Sequence, residues 1–231
     1  MSEVSVVQTG VNNVVWIKEN SKRILATKNL TPGISYYKES LIRIKDVEYR
    51  EWIPYKSKLG AVIYKGLDVS FLNTVKRILY LGAATGTTIS HLSDIVAYNG
   101  IIYGVEIAPR VMLEFINRVI THRKNVVPLF FDARLPSLYQ DLIDYPVDLV
   151  YCDVAQPDQT KIAIVNSQKF LKAGGYLLYA IKARSIDATK EPRKIYEEEV
   201  RKIEKEGFKV YNVIELEPYE KDHAMVYARL L

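Results

Sequence analysis

The rhythm of apolar and polar positions changes once along this chain, near residue 55. Before that point, short β-rich runs alternate with turn signals. Val4-Ser5-Val6-Val7 and Val14-Val15-Trp16-Ile17 flank Asn12-Asn13, and Arg23-Ile24-Leu25-Ala26-Thr27 follows Asn20-Ser21. After the break at Pro32-Gly33, Leu41-Ile42-Arg43-Ile44 and Val47-Glu48-Tyr49-Arg50 read as two further strands. No helical period sustains itself over this stretch. The expectation is a small antiparallel β domain over residues 1–54, too short to be comfortably stable alone and therefore packed on the rest of the chain.

From residue 55 onward, helical stretches separate short, nearly continuous apolar runs. Ile78-Leu79-Tyr80-Leu81, Ile101-Ile102-Tyr103-Gly104-Val105, Val126-Val127-Pro128-Leu129 and Asp148-Leu149-Val150-Tyr151-Cys152 suit strands buried on both faces of a parallel sheet. Helices are predicted over 87–97, 110–122 and 158–171, the last stopped by Ala173-Gly174-Gly175, and a fifth strand over 175–181. Residues 192–205 read as a surface helix with a first-turn proline, Pro192, and (i, i+4) pairs Glu197/Arg201 and Glu198/Lys202, closed by Gly207. Two strands, over 209–214 and 224–229, end the pattern. Strand–helix alternation of this kind predicts an open α/β sheet over residues 55–231, with its ligand at the carboxyl ends of the strands.

Composition adds limits. With 48% apolar and 26% charged residues among 231, the chain has material for one substantial domain with a small appendage. One cysteine, Cys152, excludes an internal disulfide, and three scattered histidines offer no metal-ligand spacing, so no metal is expected. No apolar run approaches a membrane span, and Met1-Ser2-Glu3 lacks the basic flank of a signal peptide, so a soluble intracellular protein is expected. Charge is uneven: 13 Lys/Arg against 7 Asp/Glu over residues 1–77, and 19 against 20 over 78–231. A basic first third fits a polyanionic partner, and equally a solvated basic face.

Candidate chemistry gathers at the strand ends. Gly82-Ala83-Ala84-Thr85-Gly86 lies between a predicted strand and a helix, where glycine lets the backbone turn sharply and approach a ligand. Ala84 stands where the dinucleotide fingerprint has its second glycine, which disfavours NAD or FAD, and no Gly-Lys-Ser/Thr follows to make a phosphate loop. Glu106 ends the next strand, 20 residues after Gly86, where an acid accepts the hydrogens of a ribose diol. Asp132-Ala133 follows the third strand, where a carboxylate suits an adenine amine, and Asp153 ends the fourth. Each acid alone also reads as a solvated strand end. Together they describe a pocket for an adenosine cofactor without pyrophosphate, best met by S-adenosylmethionine.

Residues 81–91, Gly104-Val105-Glu106, Asp132-Ala133-Arg134 and the run from Asp153 to Gln159 resemble the motifs of fibrillarin, as do Lys56-Ser57-Lys58-Leu59 and the run from Leu216 to Ala224. The likeness covers nearly the whole chain in order. It implies a Rossmann-like S-adenosylmethionine-dependent methyltransferase sheet with the small N-terminal β domain. It also implies methylation of ribose 2′-hydroxyls of rRNA, and of tRNA, at sites selected by a box C/D guide RNA. Implied partners are a Nop-family scaffold protein, a kink-turn-binding protein and the guide RNA. Without the Gly/Arg-rich tail of eukaryotic members, the chain resembles archaeal ones, for which a cytoplasmic location is expected. The resemblance assigns Thr87, Thr88, Glu106, Ile107, Asp132, Ala133, Asp153, Val154, Ala155 and Gln156 to the cofactor, beside Gly82 and Ala84. It is also consistent with a catalytic set Lys58, Asp153, Lys182 and His223, His223 departing from the glutamate usual in the wider class of ribose 2′-O-methyltransferases. Lys182 ends a strand of apolar or small residues, whereas Lys58 and His223 alone read as a surface lysine and a strand-end histidine. Which of them takes the proton stays open. Two alternatives remain: an amine-directed RNA methyltransferase, and a non-catalytic RNA-binding subunit that retains the fold.

Overall fold

The structure is a computed structural model that describes residues 4–143 and 146–231; Met1, Ser2 and Glu3, which bore on the leader, lie outside the described residues. Strands β1 (Val4–Gln8), β2 (Val14–Glu19), β3 (Lys22–Lys28), β4 (Leu41–Ile44) and β5 (Val47–Glu51) form one antiparallel sheet in the order β1-β2-β3-β5-β4. The predicted turns work as read. Asn20, at φ +52°, opens the two-residue loop between Glu19 and its partner Lys22, a conformation asparagine tolerates.

A short helix α1 (Lys58–Tyr64) then leads to the second sheet. Its elements are β6 (Arg77–Leu81), α2 (Thr87–Val96), β7 (Ile101–Glu106), α3 (Pro109–Arg118), β8 (Val126–Phe130), β9 (Val147–Cys152), α4 (Gln159–Phe170), β10 (Leu171–Lys182), α5 (Ala183–Ile186), α6 (Pro192–Lys205), β11 (Phe208–Glu215) and β12 (His223–Leu230). The strand order is β11-β12-β10-β9-β6-β7-β8, parallel from β10 to β8, with β12 antiparallel to both neighbours. The order reverses at β6, whose neighbours are β9 and β7. The crevice beyond the carboxyl ends of β6 and β9 is therefore the place where such a sheet takes a ligand. Every residue of β9 is buried, which explains its unbroken apolar run.

Helix α1 is not among the predicted elements, and three details of the predicted ones differ. Helix α3 ends at Arg118, and a separate 3₁₀ turn covers Ile120–His122. The Ala173-Gly174-Gly175 stop is an irregular start to β10: pairing with β9 breaks after Leu171 and resumes at Tyr176, with Gly174 at φ +69°. On α6, Glu197–Arg201 pairs at 3.9 Å, but Glu198 goes to Lys190 and Lys202 to Glu199.

The two sheets share one apolar cluster that runs from Val14, Leu25 and Trp52 through Leu59 and Val62 to Ile78, Ile89 and Leu92. Within it lies a knot of charge. Arg50 holds Glu39 at 2.8 Å and Asp94 at 3.1 Å, and Arg123 holds the other Asp94 oxygen at 2.7 Å, all four side chains fully buried. His91 bonds Thr27 through Nδ1 at 2.8 Å and Tyr37 through Nε2 at 2.7 Å, and stacks on Trp52. Arg50, counted in the sequence toward a basic face, is a structural residue that carries no charge to the surface.

Candidate active site

The site begins with the register of β6 and β9. Leu81 lies opposite Cys152, so the chain leaves both strands side by side, as Gly82 and Asp153. The Asp153 amide donates to the Leu81 carbonyl at 2.9 Å. Gly82 adopts φ +80°, and a Cβ there would meet the Asp153 carbonyl oxygen at 2.9 Å. Gly86 adopts φ +86°, and a Cβ would drive into Phe115 and Val119 at 2.6 Å. The glycines thus serve close packing of turn on strand and helix on helix.

A cavity of about 390 Å³ opens above this turn. Gly82, Ala84, Glu106 and Ile107 line one side, and Asp132 and Ala133 the rim beyond β8. Asp153, Val154, Ala155, Gln156 and Lys182 complete it. Thr87 and Thr88 are not in the lining; Thr88 is buried behind the turn, its hydroxyl 3.0 Å from that of Ser57. Arg134, Val111, Phe131 and Ile162 line the cavity without having been singled out. Arg134 follows the Asp132-Ala133 motif, but its contacts are with residues distant in sequence: it reaches Asp158 at 3.0 Å and Gln156 at 2.8 Å.

Glu106 works on the backbone around it. One carboxylate oxygen accepts the Ala84 amide at 3.0 Å, and the other accepts those of Ile107 and Ala108 at 3.0 and 2.9 Å. These bonds hold the Gly82–Gly86 turn, with Ala84 at φ +48°, in front of the cavity. The oxygen that accepts only the Ala84 amide keeps a second lone pair to offer a ligand.

At the floor, Asp153 lies between two lysines. Lys182 Nζ donates to the Asp153 carbonyl at 2.7 Å and stands 2.9 Å from Oδ1. Lys58 Nζ lies 3.2 Å from Oδ1 and 3.3 Å from Oδ2. Lys58 is the first residue of α1, a helix capped by the Ser57 hydroxyl, which accepts the Gly60 amide at 3.3 Å. Burial pushes the Asp153 carboxyl up, but the Lys58 and Lys182 ammonium groups outweigh it and hold the group below the usual carboxylate range. Asp153 is therefore an ionised acceptor at neutral pH. The neighbouring Cys152 thiol is pushed up to about 12 by burial and stays protonated.

His223 stands opposite Lys182 in the β10–β12 pairing, outside the cavity lining, with Nδ1 2.6 Å from the Lys221 carbonyl. Glu220, which the sequence reading did not single out, lies 3.9 Å from both Lys58 Nζ and His223 Nδ1. Lys58, Asp153, Lys182 and His223, separated by up to 165 positions in sequence (58 to 223), are thus brought to one corner of the molecule. Lys58, Asp153 and Lys182 side chains are each about 15% exposed: 14%, 14% and 15%. Solvent or a ligand reaches them. Among the described residues no cluster fit to hold a metal ion is present, and no helix is long and apolar enough to cross a membrane.

Comparison with known proteins supplies the context for this geometry. The family model described as fibrillarin matches residues 6–231. The fibrillarin-like rRNA/tRNA 2′-O-methyltransferase of Sulfurisphaera tokodaii is 52% identical over 231 aligned residues, covering 99% of this chain and 98% of that protein. The crystal structure of Aeropyrum pernix fibrillarin with natively bound S-adenosyl-L-methionine is 45% identical, with a TM-score of 0.89 over 99% of this chain and 100% of that one. The fibrillarin chain of a fibrillarin/Nop5p complex is 40% identical, with a TM-score of 0.82 over 90% and 94% of the two chains.

Proposed function

Because the chain belongs to the fibrillarin family, we propose that it is the catalytic subunit of a box C/D ribonucleoprotein. It transfers a methyl group from S-adenosylmethionine to ribose 2′-hydroxyls of rRNA and tRNA at positions chosen by a guide RNA. The observation that carries this reading is the ionised Asp153 between Lys58 and Lys182, at the floor of an acid-rimmed cavity.

The cavity suits the cofactor. Its volume lies in the range of small-molecule sites, and its acids stand at successive strand ends. Gly82 lines the cavity with bare backbone, and Ala84 beside it stands where the dinucleotide fingerprint has its second glycine, which disfavours a pyrophosphate. Glu106 would accept from the ribose diol with the free lone pair of the oxygen that holds Ala84, Asp132 would accept from the adenine amine, and Ile107, Val154 and Ala133 would supply apolar walls. Ala155 and Gln156 line the cavity after Asp153. The cofactor, once bound, supplies an already activated methyl group on a sulfonium.

The protein's task is to align the hydroxyl and remove its proton. A ribose 2′-hydroxyl set above Asp153 donates to the carboxylate, which has both lone pairs and charge to accept it. Lys182 and Lys58 fix that carboxylate and stabilise negative charge as it develops on the ribose oxygen. An amine-directed enzyme of the kind that places Asp/Asn-Pro-Pro-aromatic after the fourth strand is not supported, since Asp153-Val154-Ala155-Gln156 stands there.

The partner set is a Nop-family scaffold, a kink-turn-binding protein and the guide RNA, the first supported by the fibrillarin/Nop5p relative. The test is transfer of a labelled methyl group to a target RNA in the assembled guide complex. Label should appear only when guide, scaffold and protein are together, and a 2′-deoxy substitution at the target nucleotide should abolish it. Labelling of the deoxy target would refute ribose methylation.

A further inference from the structure

Glu220 takes no part in the chemistry assigned to Asp153 and its lysines, yet the fold goes to some length to place it. The segment after β11 is pinned at both ends. On one side, Tyr219 sets its ring edge-on to Tyr55 at 5.1 Å and against Tyr64 at 5.8 Å, while Lys65 Nζ donates to the Glu217 carbonyl at 2.9 Å. On the other, Asp222 accepts from Arg184 at 2.9 Å, and its carbonyl accepts the Ala183 amide, next in chain to Lys182. The segment therefore spans from α1, which carries Lys58, to the end of β10, which carries Lys182. Glu220 sits between these anchors, facing Lys58 and His223 at 3.9 Å each.

Resting on the reading of Asp153 and its lysines as the reaction centre, we infer that Glu220 is a positioning residue for methyl transfer, bridging Lys58 to His223. Two lysines and two carboxylates, Asp153 and Glu220, make the centre neutral when His223 is neutral. Lys58 has three N–H donors. Asp153 takes one, at 3.3 Å through Oδ2, and Glu220, at 3.9 Å, pulls on the ammonium by charge alone, so the remaining donors are aimed by two carboxylates and are free for the ribose. Without Glu220, only Asp153 orients the ammonium, and nothing ties His223 to it. Exposure rises from the lysines through His223 at 22% to Glu220 at 31%, so the bridge also leads from the reaction centre toward water.

The experiment is a double-mutant cycle in the reconstituted guide complex, read as single-turnover methyl transfer at saturating RNA and cofactor. Glu220→Gln, which keeps the shape and removes the charge, should slow transfer by roughly 10–100-fold, the size of a charge-assisted contact, while cofactor affinity stays within about twofold. Glu220→Asp should recover part of the loss. In a Lys58→Met background, Glu220→Gln should cost less than about threefold more, because its partner is gone. A near-parental rate for Glu220→Gln, or losses that simply multiply in the double variant, would overturn the bridge. A second measurement is independent of transfer: Glu220→Gln should move the Lys58 ε-methylene resonance in NMR, and an unmoved resonance also overturns it. A parental complex that transfers no methyl would sink the underlying reading instead, with the resonance still deciding whether Glu220 acts on Lys58.

Discussion

Asp94 and Asp153 are each gripped by two cations, and the difference between them separates scaffold from the proposed reaction centre. Around Asp94 the cations are arginines, Arg50 and Arg123, and all three side chains are fully buried. Thr27 and the Leu30 amide take further lone pairs of Asp94, at 2.6 and 3.0 Å, so no acceptor is left for a ligand. Around Asp153 the cations are lysines, solvent reaches all three groups, and the grip leaves one side open to the cavity. Guanidinium groups suit the first task because they are planar, permanently charged and multiply donating; compact ammonium groups suit the second because they rotate and re-aim. A carboxylate between two cations is therefore no signature of a site until its remaining lone pairs are accounted for.

That contrast is broken most severely at Arg50. Arg50→Met leaves Glu39 buried without a counter-charge, Arg123 still holding Asp94, and should cost about 3–5 kcal/mol of stability by denaturant titration. Lys58→Met, the corresponding change at Asp153, should cost no more than about 1 kcal/mol, since Lys182 remains and water reaches the pair. Equal losses for the two variants would erase the distinction.

Next in size, Glu106→Ala should weaken cofactor binding by roughly 1.5–3 kcal/mol in calorimetry, through the lost ribose contact and the loosened turn. Parental affinity in the folded variant would remove Glu106 from the cofactor site.

The smallest effect reads the knot through pH. Burial, aided by the Arg50 and Arg123 charges, holds the His91 imidazole well below 6.5, so it is neutral in the native protein. The unfolded chain binds a proton there that the native state refuses. The stability gained is thus complete above pH 6.5 and is lost as pH falls below it, by about 1.4 kcal/mol per unit. Glu39, Asp148 and Asp153, all held below their ordinary values of 4.5 or 3.8, contribute their own losses only at lower pH. His91→Gln should flatten the slope between pH 6.5 and 4.5, and a parental slope in that variant would contradict the assignment.

The sequence showed the site's frame better than its completion. Strands β6, β7 and β9 were legible because burial on both faces writes an unbroken apolar run, and the rim acids because they follow such runs directly. Helix α1 was not. Leu59 through Ile63 are buried on every side, with Gly60 lodged against Trp52, so no polar face marks a 3.6-residue period. Arg50 reads as one more basic residue, because its partners Glu39 and Asp94 lie on other elements. Glu220 lies 162 positions after Lys58 in sequence, and no local pattern records a contact made by folding alone.

In the proposed function, catalysis rests on Asp153 and its lysines acting on the ribose hydroxyl, and Lys182 is where that proposal is most exposed. Single-turnover methyl transfer in the guide complex, at saturating RNA and cofactor, should fall by roughly 10²–10⁴-fold in Lys182→Ala, with cofactor affinity unchanged. Lys182→Arg should recover little, because a guanidinium cannot reproduce the short ammonium contacts to the Asp153 carbonyl and carboxylate. Near-parental transfer by Lys182→Ala under those conditions would contradict the claim.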